Sequence, residues 1–119
     1  MESSKKIIFC EYINSENKPI NPAKIFELGP AGVNIKFFLP GFESYFPQKS
    51  KKFLYEIFKV TNNSIEEYED TVFTELKPLQ KIQAEFTFFK PGKFRIKIYD
   101  FKKKTLLNSG TILIKKHLP

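Results

Sequence analysis

The chain has 119 residues and a formal net charge of +7, with 20 Lys and Arg against 13 Asp and Glu. That length fits one domain spanning residues 1–119, large enough to bury most of its unfolded surface without a metal or disulfide staple. One Cys and one His exclude an intrachain disulfide and an intrachain zinc site of ordinary ligand count, and no apolar run is long enough to span a bilayer as a helix.

Taken in order, Lys5 to Ile13 reads as a first strand with Ile8, Cys10 and Tyr12 on the inward face. No signal-peptide core precedes it, and the residues before Cys10 are not the small ones a lipoprotein cleavage site needs. The expected location is a bacterial envelope or periplasm if a leader has been removed, otherwise the cytoplasm. Residues 14–22 form a loop by their Asn, Ser and Pro content. Lys24 to Leu28 is a short edge segment, and Gly29-Pro30-Ala31-Gly32 is a turn. Val33 to Leu39 alternates Val33, Ile35, Phe37 and Leu39 against Asn34, Lys36 and Phe38, the period of a half-buried strand.

Pro40 to Lys52 is a loop that nevertheless carries large aromatics. Phe42, Tyr45 and Phe46 stand beside Lys49, Lys51 and Lys52, which makes these six the candidate partner-binding residues. Either the aromatics fold back to cap the open end of the domain, or they stay exposed as an aromatic patch with a basic rim suited to an acidic protein partner or to weak self-association. Phe53 to Val60 is a strand whose two faces compete: Phe53, Tyr55 and Ile57 against Leu54, Phe58 and Val60. Such a strand is central or covered by a loop. Glu66, Glu67, Glu69, Asp70 and Glu75 form an acidic run. The stretch 62–70 reads as a solvated loop, with Ser64 to Glu67 able to cap one helical turn, and Thr71 to Leu76 as a strand.

The closing third is the clearest. Ile82, Ala84, Phe86 and Phe88 alternate with polar residues, Pro91-Gly92 supplies turn chemistry, and Phe94, Ile96 and Ile98 alternate with Arg95, Lys97 and Tyr99. Gly110 marks a bulge or bend before Ile112 and Ile114. The succession PGKFRIKIYD, TLLNSG and TILI resembles the closing strands of immunoglobulin-like and fibronectin type III-like modules. The resemblance implies a fold: an all-β, single Greek-key immunoglobulin-like β-sandwich of about seven strands. It implies no functional residue.

Catalytic chemistry needs converging bases, nucleophiles or metals. His117 lies two residues from the end of the chain, and Cys10 sits on an apolar strand where a small core residue is expected. The expectation is a protein without enzymatic activity and without a cofactor: a protein-binding or structural module of a bacterial envelope protein or larger assembly. The alternative is a nucleic-acid-binding β-barrel of OB or cold-shock type, with Phe38, Phe89 and Tyr99 as outward stacking aromatics. Against it, Arg95 is the single arginine of this basic chain, and arginine is the usual reader of guanine and phosphate. Nucleic acid is therefore not the expected partner.

Overall fold

The computed structural model describes residues 6–16, 18–38, 52–75, 84–100 and 106–116. These residues form ten strands and no helix. The strands are β1 (Ile8–Cys10), β2 (Tyr12–Ile13), β3 (Pro19–Ile20), β4 (Ile25–Leu28), β5 (Val33–Phe38), β6 (Lys52–Val60), β7 (Glu66–Glu75), β8 (Ala84–Phe88), β9 (Gly92–Asp100) and β10 (Leu106–Lys116). The fold is all-β, with ten strands in three sheets where about seven were expected. The smaller sheet has the order β1-β5-β8, the larger β4-β10-β9-β6-β7, and β2 pairs with β3 as a ribbon. Every pairing is antiparallel except β4 on β10, which is parallel.

The two larger assemblies share one apolar cluster. Ile7, Phe9, Val33, Ile35, Phe37, Ala84 and Phe88 come from the smaller sheet and its lead-in. Phe53, Tyr55, Ile57, Phe94, Ile96, Ile98, Ile112 and Ile114 come from the larger. Rings interlock across the gap: Phe37 lies 5.2 Å from Tyr55 and Phe88 lies 4.9 Å from Phe94, centroid to centroid. Full burial of one such side chain stabilises by about 1.5–3 kcal/mol before the entropy of ordering it. Burial also pushes the Tyr55 phenol far above its ordinary pKa.

Ile96 and Ile98 are fully buried as their alternation requires, whereas Phe86 is only half-buried, packed against the cluster from the edge strand β8. In β6 both competing faces are apolar for a reason. Phe53, Tyr55 and Ile57 enter the core, while Leu54 is also buried on the opposite face, in a strand flanked on both sides by β7 and β9.

Three readings of the sequence change. Ile7 and Phe9, not Ile8, Cys10 and Tyr12, face the core. A strand shifted by one residue exchanges its faces, and here the chain bends at Glu11 to leave β5 and join the ribbon. Cys10 is still fully buried, on the outer side of the smaller sheet beside Lys36, and Tyr12 is 66% exposed. The stretch 66–70 is the first half of a ten-residue strand, not a loop or helical turn. Gly110 lies in regular register opposite Ile96, and the irregularity falls earlier, between Leu106 and Asn108. Its lack of a side chain serves a close approach: a Cβ there would come 3.0 Å from the Phe9 ring. The Gly29–Gly32 turn stands as read, with Gly32 N–H donating to Gly29 O at 3.1 Å. Gly32 has a φ of 90°, and an added Cβ would meet Phe88 O at 2.8 Å, so this corner admits only glycine.

Candidate functional site: the outer face of the larger sheet

Of the residues expected to bind a partner, Phe42, Tyr45, Phe46, Lys49 and Lys51 lie outside the described residues. Lys52 does not belong to a loop; it opens β6 as an exposed residue opposite Glu75. The described residues instead bring together a different aromatic surface.

Successive side chains of a strand point to opposite faces, so residues aligned across neighbouring strands form rows. On the outer face of the larger sheet one row runs Phe73, Leu54, Tyr99 and Leu106, contributed by β7, β6, β9 and β10. Two rows further along stand Tyr68, Phe58, Arg95 and Thr111. Between them lie Thr71, Glu56, Lys97 and Ser109, with Glu56 buried. Phe73 is 66% and Tyr68 59% exposed, and both project from the outermost strand. Among the described residues, the centre of the surface is dense and its β7 margin is exposed.

An ionic cluster fixes one end. The Glu66 carboxylate accepts from Lys97 Nζ at 2.7 Å and from Arg95 Nη1 at 3.1 Å. Arg95 Nε also donates to Thr111 Oγ1 at 3.3 Å, and Lys97 Nζ sits 4.8 Å above the Phe58 ring. Phe58 meets Tyr68 edge to face at 6.1 Å, and the Tyr68 hydroxyl lies 2.6 Å from Thr71 Oγ1. The Lys97 hydrogen bond first, then the Lys97 and Arg95 charges, hold the Glu66 carboxyl below the ordinary carboxylate range, against the opposing effect of burial. The cations are therefore committed to the protein's own carboxylate, and the rings beside them are held in fixed orientations.

The outer face of the smaller sheet has a different character. Asn34 Nδ2 donates to Thr87 Oγ1 at 3.0 Å, and Lys36 Nζ donates to Glu11 O and Asn34 Oδ1, each at 3.0 Å. Phe38 points to this side, as alternation requires, yet is only 7% exposed. Phe89 is 70% exposed but follows β8, and Tyr99 is half-buried on the other sheet. The trio expected to stack bases is not assembled on one platform. Cys10 is pushed above its ordinary thiol pKa by burial, against hydrogen bonds from the Ile20 backbone, the charge of Lys36 and the Tyr12 backbone, so it is a poor nucleophile.

No protein-family model matches the chain, and no curated protein matches its sequence.

Sequence reading placed Tyr99 outward but missed Tyr68 and Phe73 as parts of one surface. Their five-residue spacing would put Tyr68 and Phe73 on opposite faces of an unbroken strand; a register shift opposite Ile57 and Phe58 brings both to the outer face. The glutamates and Asp70 around Tyr68, poor strand formers, also hid the first half of the strand.

Proposed function

We propose that this chain is an immunoglobulin-like binding module that engages another protein through the outer face of its larger sheet. The observation that carries the reading is the aromatic surface of Phe73, Tyr99, Tyr68 and Phe58, exposed along β7 among the described residues and braced by Glu66, Lys97 and Arg95. Tyrosine, phenylalanine and arginine are the side chains enriched at interface cores, and rigid rings lose little entropy on contact.

Strand order supports the architectural half of the proposal. In a Greek-key immunoglobulin sandwich the first, second and a later strand share one sheet, while the third and the two closing strands share the other. The β1-β5-β8 and β10-β9-β6 groupings follow that division, with β7 extending the second sheet as an additional strand does in variable-type domains. The nucleic-acid reading has less support, because Arg95 and Lys97 are occupied by Glu66 and the expected stacking aromatics are dispersed.

A photo-crosslinking amino acid at position 73, introduced in the source cell, tests the proposal. The expected result is a discrete crosslinked protein that disappears in the Tyr68→Ser variant. A crosslinker at position 87, on the other sheet, should give none. Equal crosslinking at both positions, or none at 73, overturns it.

A further inference from the structure

The margin of the larger sheet differs from its face. β7 hydrogen-bonds to β6, and among the described residues no strand pairs with its other side. β8 is in the same way an edge strand of the smaller sheet, paired with β5. Where β7 begins and β8 ends, the two margins enclose a cavity of about 100 Å3 lined by Phe86, Phe88, Phe89 and Phe94, with Glu69 and Lys90. That volume is too small for an ordinary small-molecule ligand and has room for one aliphatic side chain.

On the β7 side of this cavity the charge runs against the rest of the chain. Glu67, Glu69 and Asp70 are exposed on β7, in a protein whose net charge is +7. Pairing β7 with β7 of a second copy would set carboxylates against carboxylates, which destabilises a strand pair. A strand bearing lysine or arginine would meet opposite charge along the same edge.

We propose that the β7 edge takes an extended cationic segment of a partner protein by strand addition, with one aliphatic side chain of that segment seated in the aromatic cavity. Main-chain hydrogen bonds to the edge provide affinity, and the cavity and carboxylates provide selectivity. Lys90, on the β8 side, turns the cations of the segment toward β7. This site uses the edge backbone of β7 and the cavity, not the outward side chains Tyr68 and Phe73 of the same strand, and stands whether or not the outer face binds a partner.

The test is a titration of the full isotopically labelled chain with a short peptide in which lysines alternate with valines around a central leucine. Amide shifts should concentrate on β7 and residues 86–94. Affinity should fall at least about tenfold in the Glu69→Lys, Asp70→Lys double variant and weaken with added salt. Exchanging the peptide lysines for glutamates, or methylating alternate peptide amides, should abolish binding. Absence of binding at millimolar peptide, shifts that spread over β6, β9 and β10 and spare residues 86–94, or indifference to charge reversal overturns the proposal. The glutamate and N-methyl peptides apply the same test to the unaltered chain if the double variant does not fold. Self-association that is lost in the double variant, without peptide binding, would assign the groove to a second copy and overturn it equally.

Discussion

The two outer faces of this protein are built from strands of the same kind and have opposite characters. On the smaller sheet, Asn34, Thr87 and Lys36 spend their donors on one another and on the Glu11 carbonyl. On the larger, Phe73, Tyr68, Tyr99 and Phe58 line up across neighbouring strands, and the polar groups serve to brace them. A face whose hydrogen bonds are internally closed has little to offer a partner. A face of held aromatic rings has surface that water leaves readily. The lesson is that patterning along a strand fixes which residues are outside, while the rows formed across strands decide what the outside can do.

The comparison can be broken most directly at Leu54, which is outward yet buried at the centre of the larger face. Leu54→Ala should lower stability by about 2–4 kcal/mol in chemical denaturation; a loss under about 0.5 kcal/mol, the range of a surface change, would mean the row is not packed. Gly110→Ala tests the core on which both faces rest. Its methyl must push the Phe9 ring, and we expect a loss of about 1–3 kcal/mol, read as a lowered melting temperature. On the polar face, Asn34→Ala removes a donor from Thr87 and an acceptor from Lys36, and should cost about 1 kcal/mol.

Glu66→Gln sharpens the comparison through pH. The folded carboxyl titrates below its unfolded value, so its contribution is complete above the unfolded pKa of about 4.3 and disappears as pH falls through the folded pKa. The melting-temperature difference between wild type and variant should be small, reflecting under about 1 kcal/mol, constant above about pH 5, and absent in strong acid. A difference that grows on acidification would contradict the ion cluster. The smallest stability effect belongs to Tyr68→Ser and Phe73→Ser, each within about 0.5 kcal/mol because both side chains are exposed; crosslinking from position 73 should nevertheless be lost in Tyr68→Ser.

What could be read from the sequence followed the strength of local alternation. Phe94, Ile96 and Ile98 were legible because nothing interrupts their period and a turn pins their start. β1 was misread by one residue because Phe9 and Cys10 are both buried, one in the core and one under the other side of the sheet. β7 was half missed because its outward residues include Glu66, whose partners Arg95 and Lys97 lie on β9, far along the chain. The aromatic surface draws on segments near residues 54, 68, 73 and 99, and no local window contains its pattern. The loop with Phe42, Tyr45, Phe46, Lys49 and Lys51 was singled out by composition and lies outside the described residues.

The parallel pairing of β4 with β10 has a mechanical consequence. Ile25 to Leu28 run alongside Leu113 to Lys116 in the same direction, and Leu113 N–H adds a bond to Lys24 O at 2.8 Å. Tension applied to the chain before β4 and after β10 pulls these strands in opposite senses along their length. The bonds between them are then loaded together, as in a lap joint, and must fail at once. An antiparallel pair such as β9 and β10, drawn apart from its open end, would release its bonds one by one. In a stretching experiment the β4–β10 seam should set the rupture force, and a proline at Phe26 should lower it.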